Sequence, residues 1–121
     1  MEVLQEAWDK REGPAVFATV SSDTIPNAVY VGEIVYEPEI GLVIADNYFH
    51  KTRRNIINGT RGSVLFLTED SGSYQAKGTI EYHTQGPVFD RMQKWHNPKH
   101  PGVAATVVKV DELYAGAERL V

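Results

Sequence analysis

Short stretches of alternating apolar and polar residues recur along the chain and predict β-strands with one buried face. Such stretches number six, at 15–22, 28–37, 42–45, 61–69, 74–83 and 103–113. The second contains Gly32, which indicates a bulge or a point of close approach inside a strand. The third, "LVIA", predicts a buried strand.

Three segments have the spacing of short helices instead. Residues 2–12 are amphipathic, residues 51–58 end at an Asn-Gly stop signal, and residues 86–96 carry Pro87 in their first turn. The strands follow one another at short intervals and do not alternate regularly with helices. The pattern therefore predicts an antiparallel barrel, mainly β with an α+β character, flanked by short helices.

Composition narrows the class of protein. The chain has 121 residues, of which 42% are hydrophobic and 23% charged, so we expect one globular domain spanning 1–121. It has no cysteine, which excludes disulfides, thiolate metal sites and thiol nucleophiles. A net charge of −4 argues against nucleic-acid binding. The charged N-terminus lacks a signal-peptide core, and no apolar run is long enough to span a membrane, so we expect a cytoplasmic protein.

A basic cluster stands out in this acidic chain. Lys51, Arg53 and Arg54 place three of the twelve Lys and Arg residues within four positions at a predicted helix start. A helix start favours negative charge, because its free N–H groups are partly positive. The cluster therefore predicts an anion, with the Lys51 ammonium and the Thr52 hydroxyl holding a phosphate. A solvated basic turn is the alternative interpretation.

The remaining candidates for chemistry are weaker. His83, His96 and His100 could ligate a metal, but prolines interrupt the loop 97–102 and no carboxylate lies within it, so we expect ordinary histidines. Trp95 is placed to cover a planar ligand, or it is structural. No nucleophile and no pair of acid–base carboxylates is evident. Any chemistry is therefore expected to come from a bound cofactor.

The order of elements, together with two motifs, resembles a known family. The motifs are "HKT" followed by Asn55, and "T-x-G-P-x-F" at 84–89. They resemble the FMN-binding split-barrel family, which includes pyridoxamine 5′-phosphate oxidases, and especially its short bacterial FMN-binding proteins. The resemblance implies a six-stranded Greek-key split β-barrel. It also implies a homodimer with two FMN molecules at the subunit interface.

The resemblance also implies roles for particular residues. Lys51 and Thr52 match the positions that hold the FMN phosphate. The segment that runs beside the flavin matches Val29, Tyr30 and Val31. The strand end that faces the flavin ring matches Ala45, Asp46 and Asn47.

Two further positions bear on the flavin. Glu12 matches a glutamate that lies near the cofactor. Val31 stands where the short proteins have a tryptophan that packs on the flavin, so ring stacking here would require a substitute such as Trp95 of the partner subunit.

Three functions are compatible with these features. The first is a small FMN-dependent oxidoreductase or electron carrier with an unknown donor and acceptor. The second is a pyridoxamine-phosphate-oxidase-type enzyme, although those enzymes carry a C-terminal substrate segment rich in Trp, Arg and His where this sequence has "AGAERLV". The third is a barrel that binds haem or another ligand, or a ligand-free interaction module. We expect the first.

Overall fold

The computed structural model describes residues 1–121 and contains three helices and eight strands. In chain order the elements are α1 Glu2–Asp9, β1 Arg11–Val20, β2 Pro26–Val31, β3 Ile34–Glu37, β4 Gly41–Asp46, α2 Lys51–Ile57, β5 Arg61–Thr68, β6 Ser73–His83, α3 Pro87–Trp95, β7 Ala104–Ala115 and β8 Glu118–Arg119. None of the three helices is both long enough and apolar enough to cross a membrane.

The strands form one curled antiparallel sheet. Its order is β2-β1-β5-β6-β7-β4-β3, and β8 pairs with the last residues of β7. The two ends of this order, β2 and β3, are consecutive in the chain and joined only by Gly32 and Glu33. Two residues span less than about 11 Å even when fully extended. The sheet must therefore curl until its ends meet at this point, which gives a split barrel and confirms the predicted fold class.

The predicted number of six strands is wrong, and the main reason lies at Gly32. Before it, β2 pairs with β1, as in the register Val31 to Ala15; after it, β3 pairs with β4, as in Ile34 to Ile44. The predicted strand 28–37 is thus two strands with different partners. Periodicity reports which face of a strand is buried but not which neighbour it pairs with. The two-residue β8 had no periodic signal at all.

The first helix is also shorter than predicted. It ends at Asp9, and β1 already begins at Arg11. The start of β1 is irregular: Gly13 has a φ of 74°, and the register with β5 shifts between Glu12 and Val16. A bulge of this kind removes the alternation from which the beginning of a strand can be recognised.

The barrel interior is closed by α1 at one end. Leu4, Ala7 and Trp8 of this helix are buried against the interior, and the Trp8 ring meets Phe66 edge-on at 4.8 Å. A second, smaller cluster lies on the outside of the sheet, where Met92 of α3 packs against alternate residues of β4 and β7. Since β4 contacts the interior with one face and this outer cluster with the other, all six of its residues are buried. This confirms the prediction for "LVIA".

The outside of β1, β2 and β5 is apolar and uncovered. Tyr30 is directly opposite Val16, and Val16 is opposite Leu65, so their side chains form one row across three strands. Tyr30 is 79% exposed, Leu65 40% and Leu67 58%. We call Val16, Tyr30, Leu65 and Leu67 the outer apolar face.

Candidate functional site

A cleft of about 310 Å³ opens where β2 ends and the segment between β4 and α2 begins. Its walls come from the residues on either side of the β2–β3 break and from the chain that leaves β4. Seven of the eight residues predicted to bind the cofactor line this cleft: Val29, Tyr30, Val31, Ala45, Asn47, Lys51 and Thr52. The fold thus brings together two segments that are distant in sequence.

One end of the cleft is apolar. Val29 packs against the barrel core, Val31 is 5% exposed, and Ala45 is buried at the end of β4. Tyr30 lies beside them with its ring largely in solvent. Apolar walls with few polar groups are typical of sites for planar ligands.

Gly32 gives this end of the cleft its open floor. A Cβ built there would meet no protein atom within 4 Å, although the residue lines the cleft. The absence of a side chain is therefore not required by packing.

We expect Gly32→Val to lower the affinity for a ligand in the cleft by at least about tenfold, because the added side chain occupies ligand space. We expect no comparable loss of stability. Ligand titration and thermal melting of the same variant measure both effects. Gly59 also has open space around it and lies outside the cleft. It is unsuitable as a control position because its φ of 82° would strain a valine. Ala117→Val, at an exposed turn residue outside the cleft, is the better match, and an equal loss of affinity in it would contradict the steric explanation.

The other end of the cleft is polar and positively charged. Lys51 is exposed and forms no ion pair with any carboxylate. Thr52 beside it is 2% exposed, and its Oγ1 accepts a hydrogen bond of 2.9 Å from Asn27 Nδ2. The Thr52 hydroxyl proton has no acceptor within the protein. A buried, oriented donor next to an unpaired ammonium is suited to an anionic oxygen.

Asp46 is the predicted residue that does not line the cleft. Its side chain is fully buried at the end of β4. The carboxylate accepts hydrogen bonds from the Phe49 backbone N–H at 3.0 Å, from Arg53 Nε and Nη2 at 2.9 and 3.0 Å, and from the Tyr82 hydroxyl at 2.6 Å. We call Asp46, Arg53 and Tyr82 the Asp46 network. It fixes the turn that carries the cleft residues Asn47 to Thr52.

The network also shifts the pKa of Tyr82. Burial, followed by the adjacent Asp46 carboxylate, raises the pKa of the Tyr82 hydroxyl to about 12. A raised pKa means that the folded state favours the neutral phenol. The contribution of Tyr82 to stability is therefore present below its ordinary value near 10 and is lost as the pH rises through about 12.

Arg53 is not available to a ligand in the way that the basic cluster suggested. The Asp46 carboxylate pairs with the Arg53 guanidinium and raises the pKa of that guanidinium. Only Lys51 and Arg54 of the three cations are without a carboxylate partner. The sequence could not show this pairing, because it depends on the strand end of β4 meeting the side of α2.

Sequence reasoning missed the loop between α3 and β7, which does not line the cleft but is hydrogen-bonded to residues that do. Glu33 accepts hydrogen bonds from Asn47 Nδ2, at 2.8 Å, and from the Asn97 backbone N–H. Asn47 Oδ1 accepts one from the Gly102 backbone N–H at 2.9 Å. The Tyr48 hydroxyl lies 3.1 Å from His100 Nδ1. Three cleft-lining side chains thus hold residues 97–102 in place.

The other residues singled out in the sequence lie away from the cleft. Trp95 packs with the outer cluster under α3, and Glu12 lies near the start of β1, opposite Leu67, without lining the cleft. His83 contacts Glu81, and both ring nitrogens of His96 face backbone carbonyls. No group of three metal-ligating side chains is present. The one histidine that lines the cleft is His50.

The fold and the cleft define the class of protein: a small split barrel with one apolar-to-cationic cleft beside the break in its sheet. A profile of the family described as pyridoxamine 5′-phosphate oxidase matches residues 2–115. The chain belongs to this family, which confirms the resemblance seen in the sequence.

Individual relatives agree with this assignment. The uncharacterized protein MJ0282 of Methanocaldococcus jannaschii is 32% identical over 120 residues, which cover 94% of this chain and 80% of that protein. Among solved structures, HupZ of Group A Streptococcus is similar with a TM-score of 0.82 at 19% identity, covering 100% of this chain and 98% of that one.

Two further solved structures have informative names. An FMN-binding protein from Syntrophomonas wolfei gives a TM-score of 0.73 at 18% identity and covers 99% of this chain and 92% of its own. HutZ, named as the heme storage protein of Vibrio cholerae, gives a TM-score of 0.67 at 13% identity. The match covers 94% of this chain and 92% of that one. At these identities the likeness concerns the fold alone.

Proposed function

We propose that this protein binds FMN in the cleft and acts as a small oxidoreductase or electron carrier. The observation that carries the proposal is the Lys51–Thr52 end of the cleft, where a buried hydroxyl with an unused proton adjoins an unpaired ammonium. Membership of a flavin-using family and the name of the S. wolfei neighbour support it. The name of HutZ makes haem the competing ligand.

The residues present fit FMN in both chemistry and order. Lys51 and Thr52 would hold the phosphate through charge-assisted hydrogen bonds, each worth about 1.5–3 kcal/mol. Val29, Val31 and Ala45 would pack against the ring system, and Asn47 would present its amide to the ring's polar edge. Bound FMN would supply one- and two-electron redox chemistry. The protein's own residues would orient it and limit the access of water.

A cleft of about 310 Å³ is small for a complete flavin nucleotide, since ligand sites commonly run from about 300 to 1,000 Å³ and enclose most of the ligand. One subunit alone would therefore leave much of the cofactor exposed. The outer apolar face lies beside the cleft and shares Tyr30 with it. We propose that a second copy of the chain covers this face and completes the site.

Leu65→Glu is expected to convert the dimer into a monomer. Dimerisation would bury the 40% of Leu65 that is exposed, worth about 0.6–1.2 kcal/mol per subunit, and a two-fold interface loses this twice while placing two carboxylates between the subunits, so association should weaken by about tenfold or more. The fold should survive, because the Leu65 side chain is already 40% exposed in one subunit. Light scattering across a concentration series measures the change.

Val3→Glu is the control, since Val3 is an exposed apolar residue of α1 outside the outer apolar face. A wild-type protein that is monomeric with FMN tightly bound would contradict the shared site.

An absorbance spectrum of the purified protein separates the two ligands. The proposal expects flavin bands, either as purified or after adding FMN and removing the excess. A haem Soret band without flavin bands, or a protein that stays colourless after FMN is added, would contradict it.

A further inference from the structure

A second pocket continues the cleft beyond Lys51. It has a volume of about 360 Å³ and lies between the β1–β2 turn and one side of α2. Eight of its ten lining residues are polar or charged. The lining residues that matter here are Ser21, Asp23, Asn27, Lys51, Arg54 and Asn58.

The charges of this second pocket are mostly unpaired. Arg54 is the one arginine whose guanidinium makes no ion pair, hydrogen bond or contact with an aromatic ring; the other five are engaged with carboxylates or, for Arg11, with Trp8. Lys51 is unpaired as well. Asp23 is the single carboxylate in the lining and is within ion-pair distance of neither cation. The pocket is therefore a net cationic site in an acidic protein.

The second pocket and the cleft lie next to each other, and both are lined by residues of β2 and α2. Along β2, Pro26 and Asn27 line the second pocket, whereas Val29 to Val31 line the cleft. On α2, Lys51 lines both, and Arg54 and Asn58 follow it at i+3 and i+7 on one side of the helix. The hydrogen bond from Asn27 to Thr52 marks the boundary. A ligand whose ring lies at Val31 and whose phosphate lies at Thr52 would thus continue into the second pocket.

We infer that the site accepts a flavin whose phosphate is extended by a second phosphate and a nucleoside, the chemistry of FAD. This inference rests on the proposed function. A diphosphate distributes two negative charges over two phosphorus centres. Lys51 and Arg54, one helical turn apart, match that distribution with one cation each, whereas the phosphate of FMN needs only Lys51 and Thr52.

The rest of the lining suits the sugar and base of such an extension. Ser21, Asn27 and Asn58 offer hydroxyl and amide groups, and the Asp23 carboxylate can accept hydrogen bonds from ribose hydroxyls. A purely anionic tail would instead be repelled by Asp23. The presence of that carboxylate therefore favours a nucleoside over a polyanion.

The test compares FAD with FMN in apoprotein titrations of the wild type and of Arg54→Gln. We expect the wild type to bind FAD at least as tightly as FMN. Arg54→Gln should weaken FAD by about tenfold and leave FMN within about twofold, because only the second phosphate reaches Arg54. Arg119→Gln is the matched control: it removes the same charge from an exposed arginine on β8 that lines neither the cleft nor the second pocket.

Each other outcome overturns the inference. FAD binding more than about tenfold weaker than FMN in the wild type means that the second pocket does not receive the extension. An equal loss of both ligands in Arg54→Gln places Arg54 at the first phosphate, and no loss of either leaves it outside the site. If FMN itself does not bind, the proposed function fails instead, so the two failures are distinguishable.

Discussion

Asp46→Asn is expected to lower the free energy of unfolding by about 2–4 kcal/mol. The substitution removes the charge from a fully buried carboxylate that receives four hydrogen bonds, and bonds to charged groups are worth about 1.5–3 kcal/mol each. The loss is partial, because an asparagine oxygen still accepts and Arg53 can reach solvent through its exposed 36%. Urea denaturation with an unchanged m-value measures it.

Asp111→Asn is a matched control for this prediction. Asp111 also faces an arginine through two hydrogen bonds, from Arg61 at 2.7 and 3.0 Å, but both side chains of that pair are 51% exposed. Exposed pairs contribute about 0–1 kcal/mol, so little should change. Equal losses of unfolding free energy in the two variants would contradict the idea that burial makes the Asp46 network stabilising.

The Asp46 variant should also weaken flavin binding. The network fixes the turn from Asn47 to Thr52, and a looser turn must be ordered again when the ligand binds. Tyr82→Phe offers a milder form of the same change, since it removes one hydrogen bond to Asp46 and keeps the ring.

Lys51→Ala is expected to weaken FMN binding by about tenfold to a hundredfold and to leave riboflavin binding unchanged. The variant deletes one charge-assisted contact to the phosphate, and each 1.4 kcal/mol is a factor of about ten in affinity. Riboflavin has no phosphate to lose. Thr52→Val should cost less, because it removes a neutral hydroxyl, although its partner Asn27 also loses an acceptor. Parallel titrations of both flavins measure these effects.

The control for Lys51 is Lys94→Ala, which removes an exposed lysine of α3 that lines neither the cleft nor the second pocket. If Lys51→Ala weakens FMN and riboflavin alike, the residue supports the ring or the turn. If neither changes, the basic cluster is a solvated turn, as the alternative interpretation of the sequence had it.

Most residues that line the cleft could be singled out in the sequence because their signals are local. The strand "LVIA", the short helix closed by Asn58-Gly59 and the basic cluster between them are contiguous, and the motif around Lys51 resembles a known family. The segment at Val29 to Val31 came from the same resemblance. These signals singled out eight residues, and seven of them line one cleft.

What the sequence could not predict depends on contacts between distant segments. Asp46 accepts a hydrogen bond from Tyr82, which is 36 positions away, and the same buried carboxylate pairs with Arg53 where the end of β4 meets α2. A tryptophan such as Trp95 could cover a planar ligand as far as the sequence shows. In the structure it packs with α3 on the outer side of β4 and β7. Glu33 is one carboxylate among many in the sequence, and only the fold shows it holding Asn47 and the loop at Asn97.

The most direct test of the central claim is a titration of the wild-type apoprotein with FMN and with riboflavin. If the Lys51–Thr52 end of the cleft holds a phosphate, FMN should bind at least about tenfold more tightly than riboflavin, and the preference should diminish as salt screens the exposed Lys51 charge. Equal affinities for the two flavins would contradict the account, since the phosphate would then make no contact that the protein uses.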